Sequence, residues 1–163
     1  MGPTVPLWVR AGRSSLVVAG SVIIVGTDFS ADAERALRYG FKLARALGGL
    51  VELVHVTPEL KPLFGGSEAS REAVARLQDE EVEAAREALE TLVTETDVPA
   101  QAHVCIGDTC QALLDRADEV GAELIVVGRQ GAGALGRFLL GSLTDKLVRR
   151  SERAVVVIPP GAS

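Results

Sequence analysis

The sequence has few side chains suited to metal binding or disulfide formation. Its 163 residues include only two cysteines, Cys105 and Cys110, and two histidines, His55 and His103. The cysteines are predicted at a strand end and in the following helix, a spacing typical of neither a disulfide framework nor a zinc site. A metal centre would need carboxylates recruited from elsewhere, so we predict reduced thiols and no dedicated metal site.

Aromatic residues, basic clusters and long apolar runs are scarce too. Phe, Trp and Tyr make up 4% of the residues, and the net charge is −5. A negative chain without a basic patch lacks the electrostatic field that attracts nucleic acid regardless of its sequence. No apolar run reaches the length of a membrane-spanning helix. We therefore predict a cytoplasmic protein without nucleic-acid or membrane partners.

The N-terminal segment shows no pattern of regular structure. Arg10 and Arg13 precede an apolar stretch, and the small residues on either side of Asp32 have the spacing of a secretory cleavage site. Cleavage there would remove the first predicted strand, so we interpret residues 1–21 as an irregular leader. Residues 22–163 have a suitable length for a single domain with one core.

The most regular feature of the sequence is an alternation of β-branched runs with amphipathic helices. This order predicts a parallel sheet with helices on both faces and ligands bound beyond the carboxyl ends of the strands. Ser30, and Asp108 with Gln111, are typical of helix N-caps, and Gly48 indicates a helix end. Helical spacing places Leu77 on an inward face. The predicted strands are residues 22–26, 51–56, 102–106, 124–127 and 154–158, and the predicted helices begin near residues 30, 67, 108 and 142.

A glycine-rich loop joins the fourth predicted strand to the last helix. Such a loop presents backbone N–H groups and the positive end of a helix dipole, which suit a phosphate. Residues 131–136 fit the G-x-G-x-x-G dinucleotide fingerprint, but the next strand ends in prolines instead of the acidic residue that holds a ribose. Residues 136–142 approximate a P-loop without its lysine, which argues against efficient hydrolysis of a nucleoside triphosphate.

A third pattern in the same loop is more specific. Gly128, Gly131, Gly141 and Ser142 fit the spacing G-x-x-G-x9-G-[S/T], which resembles the nucleotide loop of the universal stress protein family. The resemblance covers about residues 22–159. It includes the segments VIIVGTDFSADAERAL, LVELVHVTPE and GRFLLGSLTDKLVRRSERAVVVIP.

This resemblance implies a fold, a ligand and a set of residue roles. The fold is a flavodoxin-like (adenine-nucleotide α-hydrolase-like) open five-stranded parallel sheet in the order 3-2-1-4-5, with helices on both faces. The implied ligand is ATP, with ADP and AMP as alternatives and Mg²⁺ bound through the phosphates, and the implied assembly is a homodimer through the strand Ala154–Ile158. In the implied site, Gly26, Thr27 and Asp28 line adenine and ribose, Val56 contacts the base, Val127 and Gly128 lie beneath the ribose, and Gly131, Gly141, Ser142, Leu143 and Thr144 hold the phosphates.

The chemistry of the loop residues fits these roles, and alternatives stay open. Gly131 and Gly141 permit positive φ and close backbone approach, and Ser142 supplies a hydroxyl at a helix N-terminus. We choose Arg137 as the cation that offsets phosphate charge. No general base is evident, so we favour a stress-response regulatory protein with slow or no ATP hydrolysis over an efficient enzyme. The alternatives are a nucleotide-free homodimeric interaction or signalling module, and glycines that only turn a loop over the sheet.

Overall fold

The chain folds as alternating strands and helices, and the computed structural model describes residues 20–62, 66–129 and 141–160. Its elements are β1 (Val22–Thr27), α1 (Ala31–Leu47), β2 (Leu50–Thr57), α2 (Glu68–Thr94), β3 (Ala100–Ile106), α3 (Thr109–Glu119), β4 (Leu124–Gly128), α4 (Ser142–Arg150) and β5 (Ala154–Ile158). The strands form one parallel sheet in the order β3-β2-β1-β4-β5. The predicted architecture and strand order are confirmed.

The sheet is covered on both faces because successive side chains of each buried strand point to opposite sides. On β1, Ile23 and Val25 are fully buried against α1 and α2, whereas Ile24 is fully buried against α3 and α4. The helices contribute small or branched residues such as Ala36 and Leu113 to these two layers. The β-branched runs in the sequence therefore correspond to strands at the centre of the sheet, which are buried on both faces.

Helix ends follow the predicted capping signals. The Ser30 hydroxyl accepts a hydrogen bond from the backbone N–H of Ala33 at 3.2 Å, and Gly48 ends α1 at φ 62°. The Asp108 carboxylate accepts the N–H of Gln111 at 2.9 Å, which lowers the pKa of Asp108. The side chain of Gln111 bonds Asp115 instead of returning to the cap, so only one half of the predicted capping box forms.

The helix α2 extends beyond the sheet that it covers. Its 27 residues span about 40 Å, whereas the 8 residues of β2 span about 27 Å. Its buried residues are Ala85 and Leu89, in its second half. Leu77 is 54% exposed, so the prediction that it faces inward is wrong. The amphipathic spacing continues past the point where strands lie beneath the helix.

Candidate functional site

A crevice opens where β1 and β4 separate at their carboxyl ends. β1 is paired with β4 only as far as Val25 and Val126. Beyond that point Thr27 is paired with β2, and Gly128 is paired with β5. Strand order reverses at this position, and open parallel sheets bind ligands at such reversals. The two predicted halves of the site, at residues 26–28 and 127–128, therefore flank one crevice.

The β1 side of the crevice is held by hydrogen bonds from side chains to the backbone. The Thr27 hydroxyl accepts the N–H of Phe29 at 3.1 Å, and the exposed Asp28 carboxylate accepts the N–H of Ser30 at 3.1 Å. Phe29 has φ 60°, which is uncommon for a residue with a side chain, and its ring lies 4.6 Å from the ring of His55. Asp28 thus shapes the turn between β1 and α1 while its carboxylate stays at the surface.

The β4 side of the crevice is closely packed against α1. A Cβ atom at Gly128 would lie 2.9 Å from the carbonyl carbon and oxygen of Asp32, a distance that real Cβ atoms do not tolerate. Gly128 is therefore required to let the first turn of α1 approach the end of β4. Val127 is 3% exposed, and both it and the partly buried Val56 pack into the core layer beneath α3 and α4.

The first turn of α4 is attached to the end of β4. Thr144 is 2% exposed, and its hydroxyl lies 3.1 Å from the carbonyl oxygen of Gly128 and 3.3 Å from that of Arg129. The backbone N–H of Gly141 donates to the same Arg129 carbonyl at 2.9 Å. These contacts place the N-terminus of α4 beside the crevice.

Gly141 occupies the N-cap position of α4 with φ −60° and ψ 151°. The expected use of positive φ is therefore wrong for Gly141, because an N-cap residue takes extended geometry that most residues can adopt. Its N–H is also engaged by Arg129. Backbone strain therefore gives no reason for a glycine at this position.

Three backbone N–H groups at the start of α4 have no acceptor within the helix. The first hydrogen bond of the helix runs from Asp145 N–H to the carbonyl of Gly141 at 3.0 Å, so the N–H groups of Ser142, Leu143 and Thr144 precede the ladder. Within residues 20–62, 66–129 and 141–160, no side chain caps this end. Such N–H groups, with the positive end of the dipole, form an arrangement that binds anions.

Two predicted site residues, Gly131 and Arg137, lie outside the described residues, so their roles stay predictions. Sequence analysis also missed two neighbours of the crevice. One is the contact between the rings of Phe29 and His55, and the other is the bridge from Gln78 to the end of β2. No local motif signals either one, because the partners lie at least 18 positions apart in the chain.

Neither a metal site nor a membrane span is found in the part of the chain that the structure describes. No group of three or more His, Cys, Asp or Glu side chains there is arranged to hold a metal ion. Likewise, no helix in the described ranges is long and apolar enough to cross a membrane.

Comparisons with known proteins found sequences and solved structures that are similar to this chain. The chain is 26% identical over 137 residues to universal stress protein MJ0531 of Methanocaldococcus jannaschii, covering 83% of this chain and 80% of that one. The structure of the M. jannaschii protein MJ0577 superposes with a TM-score of 0.76 at 25% identity, covering 88% of this chain and 98% of that one. A universal stress protein in complex with cAMP superposes with a TM-score of 0.55 at 26% identity, covering 86% and 97%.

The family model agrees with these individual relatives. The model of the universal stress protein family matches residues 21–159, which include every strand and helix of the sheet described above. The match also includes both sides of the crevice and the N-terminus of α4. This chain belongs to the universal stress protein family.

Proposed function

We propose that this protein binds an adenine nucleotide, with ATP as the principal ligand, in the crevice between β1 and β4. The observation that carries the proposal is the separation of β1 from β4 directly beside the three N–H groups of α4. A crevice with an anion-binding helix terminus at one end suits a ligand with a base at one end and phosphates at the other. The relative that was solved with cAMP supports an adenine nucleotide as the class of ligand.

The proposed pose assigns the residues expected from the sequence to the two sides of the crevice. Gly26, Thr27 and Asp28 line the β1 side, toward base and ribose, and Val56 contacts the base from the end of the neighbouring strand β2. Val127 and Gly128 support the ribose from the β4 side. The N–H groups of Ser142, Leu143 and Thr144 hold phosphate oxygens, and Gly131 and Arg137 complete the phosphate loop.

The contacts of Thr144 and Gly141 within the protein limit what these two residues can offer a phosphate, and the role proposed for Mg²⁺ is limited too. The Thr144 hydroxyl directs its single proton at backbone carbonyls, so Thr144 reaches phosphate through its N–H. The Gly141 N–H donates to the carbonyl of Arg129, so the role that we propose for Gly141 is to leave room for the phosphates in front of the helix. We propose Mg²⁺ only as a partner of the phosphates, with Asp28 as the exposed carboxylate directly after β1.

The protein is proposed to act as a stress-response regulator that turns ATP over slowly or not at all. Hydrolysis requires a base positioned against a water in line with the leaving group. The carboxylate nearest in sequence to the α4 terminus, Asp145, accepts hydrogen bonds at 3.0 Å from the Nε of Arg149. That carboxylate is therefore paired with an arginine of its own helix.

Equilibrium dialysis with ATP, ADP, AMP and cAMP tests the proposal directly. We expect saturable binding, and a rise in melting temperature as ATP concentration passes Kd. The variant Gly141→Val should abolish binding, because a branched side chain would occupy the space in front of the α4 N–H groups. Val148→Ala, on the exposed side of the same helix, is the matched control and should bind normally. Absence of ATP binding by the unaltered protein at millimolar concentrations would defeat the proposal.

A specific observation also favours the alternative of a homodimer through β5. Among the residues that the structure describes, this strand is paired on one side only, with β4, and its five residues AVVVI carry no charge or proline to protect the open edge. The N–H of Arg129 donates to the carbonyl of Ile158, so the backbone of Ile158 faces β4 and that of Val157 faces the open side. A second copy of the chain is the proposed partner at this edge.

Light scattering during gel filtration, with and without ATP, tests the dimer separately from the nucleotide. Val157→Lys should convert a dimer to a monomer because a charge on an edge strand opposes pairing. Leu77→Lys, which introduces the same charge at an exposed position on α2, should leave the mass unchanged. A monomeric unaltered protein would reject the dimer and leave nucleotide binding untouched.

A further inference from the structure

The end of β2 is held by one side chain of α2. The Nε2 of Gln78 donates to the hydroxyl of Thr57 at 3.3 Å, and its Oε1 accepts the backbone N–H of Leu60 at 2.8 Å. A single amide therefore bridges the last residue of β2 and the chain that leaves it. Because an amide has both a donor and an acceptor, it satisfies both contacts at once.

Thr57 is fixed from its other side by β3. It is 4% exposed, its hydroxyl donates to the carbonyl of Cys105 at 3.4 Å, and its own carbonyl accepts the N–H of Gly107 at 2.9 Å. The end of β2 is thus tied both to the neighbouring strand and to Gln78. The contact with Leu60 adds control of the direction in which the chain departs.

These contacts lie next to the base-binding side of the proposed crevice. Val56, the residue proposed to touch the base, directly precedes Thr57. The phosphate-binding N–H groups belong to α4, after β4, and β4 is separated from β2 by β1. Two strand spacings amount to about 10 Å, so Gln78 acts on one end of the ligand and not on the other.

We propose that Gln78 is a positioning residue that sets the base-side wall of the nucleotide crevice, formed by residues 56–60. This inference rests on the proposed nucleotide site. By bonding to Thr57 and Leu60, Gln78 fixes the backbone at Val56 and in the residues that follow it. Its loss should lower the affinity for ligands that have a base and leave the affinity for ligands made only of phosphate unchanged.

The test compares ATP with inorganic tripolyphosphate by isothermal titration calorimetry. Gln78→Leu removes both hydrogen bonds at similar volume, and we expect displacement of the wall to cause about a tenfold loss of ATP affinity, or about 1.4 kcal/mol. Tripolyphosphate affinity should stay within about twofold, because the wall formed by residues 56–60 lies at the base end of the site, about 10 Å from the α4 N–H groups. A residue that only stabilised the fold would not change the ratio of the two affinities.

Two further variants give the comparison its controls. Gln78→Glu keeps an acceptor for Leu60 but lacks the N–H donor, so its ATP affinity should fall between those of the unaltered protein and Gln78→Leu. This variant also serves if Gln78→Leu fails to fold by circular dichroism. Leu77→Ala, at the exposed neighbouring position, should bind both ligands normally.

The possible results distinguish the role of Gln78 from the nucleotide binding on which it rests. If the unaltered protein binds ATP and Gln78→Leu binds it equally well, or loses both ligands equally, the role of Gln78 is overturned and the nucleotide site stands. If the unaltered protein binds tripolyphosphate but not ATP, or neither, the proposed nucleotide function fails first and this inference fails with it.

Discussion

The hydroxyl of Thr144 lies 3.1 Å from the carbonyl oxygen of Gly128, and this contact joins the first turn of α4 to the last residue of β4. It is buried, since Thr144 is 2% exposed. This hydrogen bond helps to orient the α4 N-terminus, and hence its three leading N–H groups. Variants at either end of the contact therefore test how the crevice is built.

Replacement of the Thr144 hydroxyl should destabilise the protein. Thr144→Val keeps the shape but removes the donor to two carbonyls, so we expect the free energy of unfolding to fall by about 1–2 kcal/mol. Urea unfolding followed by circular dichroism measures the change. Thr144→Ser keeps the hydroxyl, so its free energy of unfolding should fall clearly less. Equal losses for the two variants would mean that the methyl group, and not the hydrogen bond, carries the effect.

A side chain at Gly128 should disturb the contact between β4 and α1. Its Cβ would lie 2.9 Å from backbone atoms of Asp32, which cannot move without the helix, so Gly128→Ala should cost about 1–3 kcal/mol. At Gly26 the same substitution meets only the side chains of Leu113 and Val127 at 3.2 Å, which can adjust. Gly26→Ala is therefore the control, and thermal melts of both variants should rank Gly128→Ala as the less stable.

The ion pair between Glu52 and Arg116 should contribute more to stability than the pairs on the surface. Glu52 is 2% exposed in the middle of β2 and accepts the Nε of Arg116 at 3.1 Å. Burial lowers the pKa of Arg116, but its hydrogen bonds to Glu52 and Glu119 outweigh burial and raise that pKa overall. Glu52→Gln leaves the guanidinium without its buried counter-charge, and we expect a loss of about 3 kcal/mol in urea unfolding.

The control for that measurement is Glu119→Gln, which removes the solvent-exposed partner of the same arginine. Exposed ion pairs contribute little, so this variant should unfold at nearly the same urea concentration as the unaltered protein. An effect of Glu119→Gln as large as that of Glu52→Gln would contradict the assignment of the buried pair as the stabilising one.

Stability should fall in mild acid because of His103. Partial burial, followed by the positive charge of Arg116, lowers the pKa of His103 below its ordinary value of about 6.5. The unfolded chain then takes up the proton more readily than the folded one. The contribution of the neutral imidazole is complete above about pH 6.5 and is lost as the pH falls through the folded pKa.

Urea unfolding at pH 7 and at pH 5 measures this effect. The unaltered protein should lose more stability between the two values than His103→Gln, which cannot take up a proton. The acidic groups with lowered pKa, Asp97, Asp108 and Glu119, release their stabilisation only at lower pH and do not obscure this window. An identical pH dependence of the two proteins would remove His103 as the cause.

Features that depend on neighbours in the chain were predictable from the sequence. Ser30 and Asp108 cap helices through N–H groups three positions away, and Gly48 ends α1 with its own backbone angle. The start of α4 and the bounds of β5 match the predicted ones, because Gly141 precedes the helix and two prolines follow the strand. The residues expected at the crevice came from the family resemblance, which rests in part on the spacing of Gly128, Gly131, Gly141 and Ser142.

What the sequence by itself determined was the alternation of elements, their ends and the family resemblance that implied the strand order. Only the tertiary structure decided that Leu77 is exposed, that Gly141 has ordinary φ, and that Gln78 reaches Thr57 and Leu60. Each depends on where a helix lies relative to strands from elsewhere in the chain, and local periodicity contains no information about that placement. The proposed phosphate site depends on both: its glycine spacing is in the sequence, and only the packing shows that the Thr144 hydroxyl and the Gly141 N–H bond to backbone carbonyls.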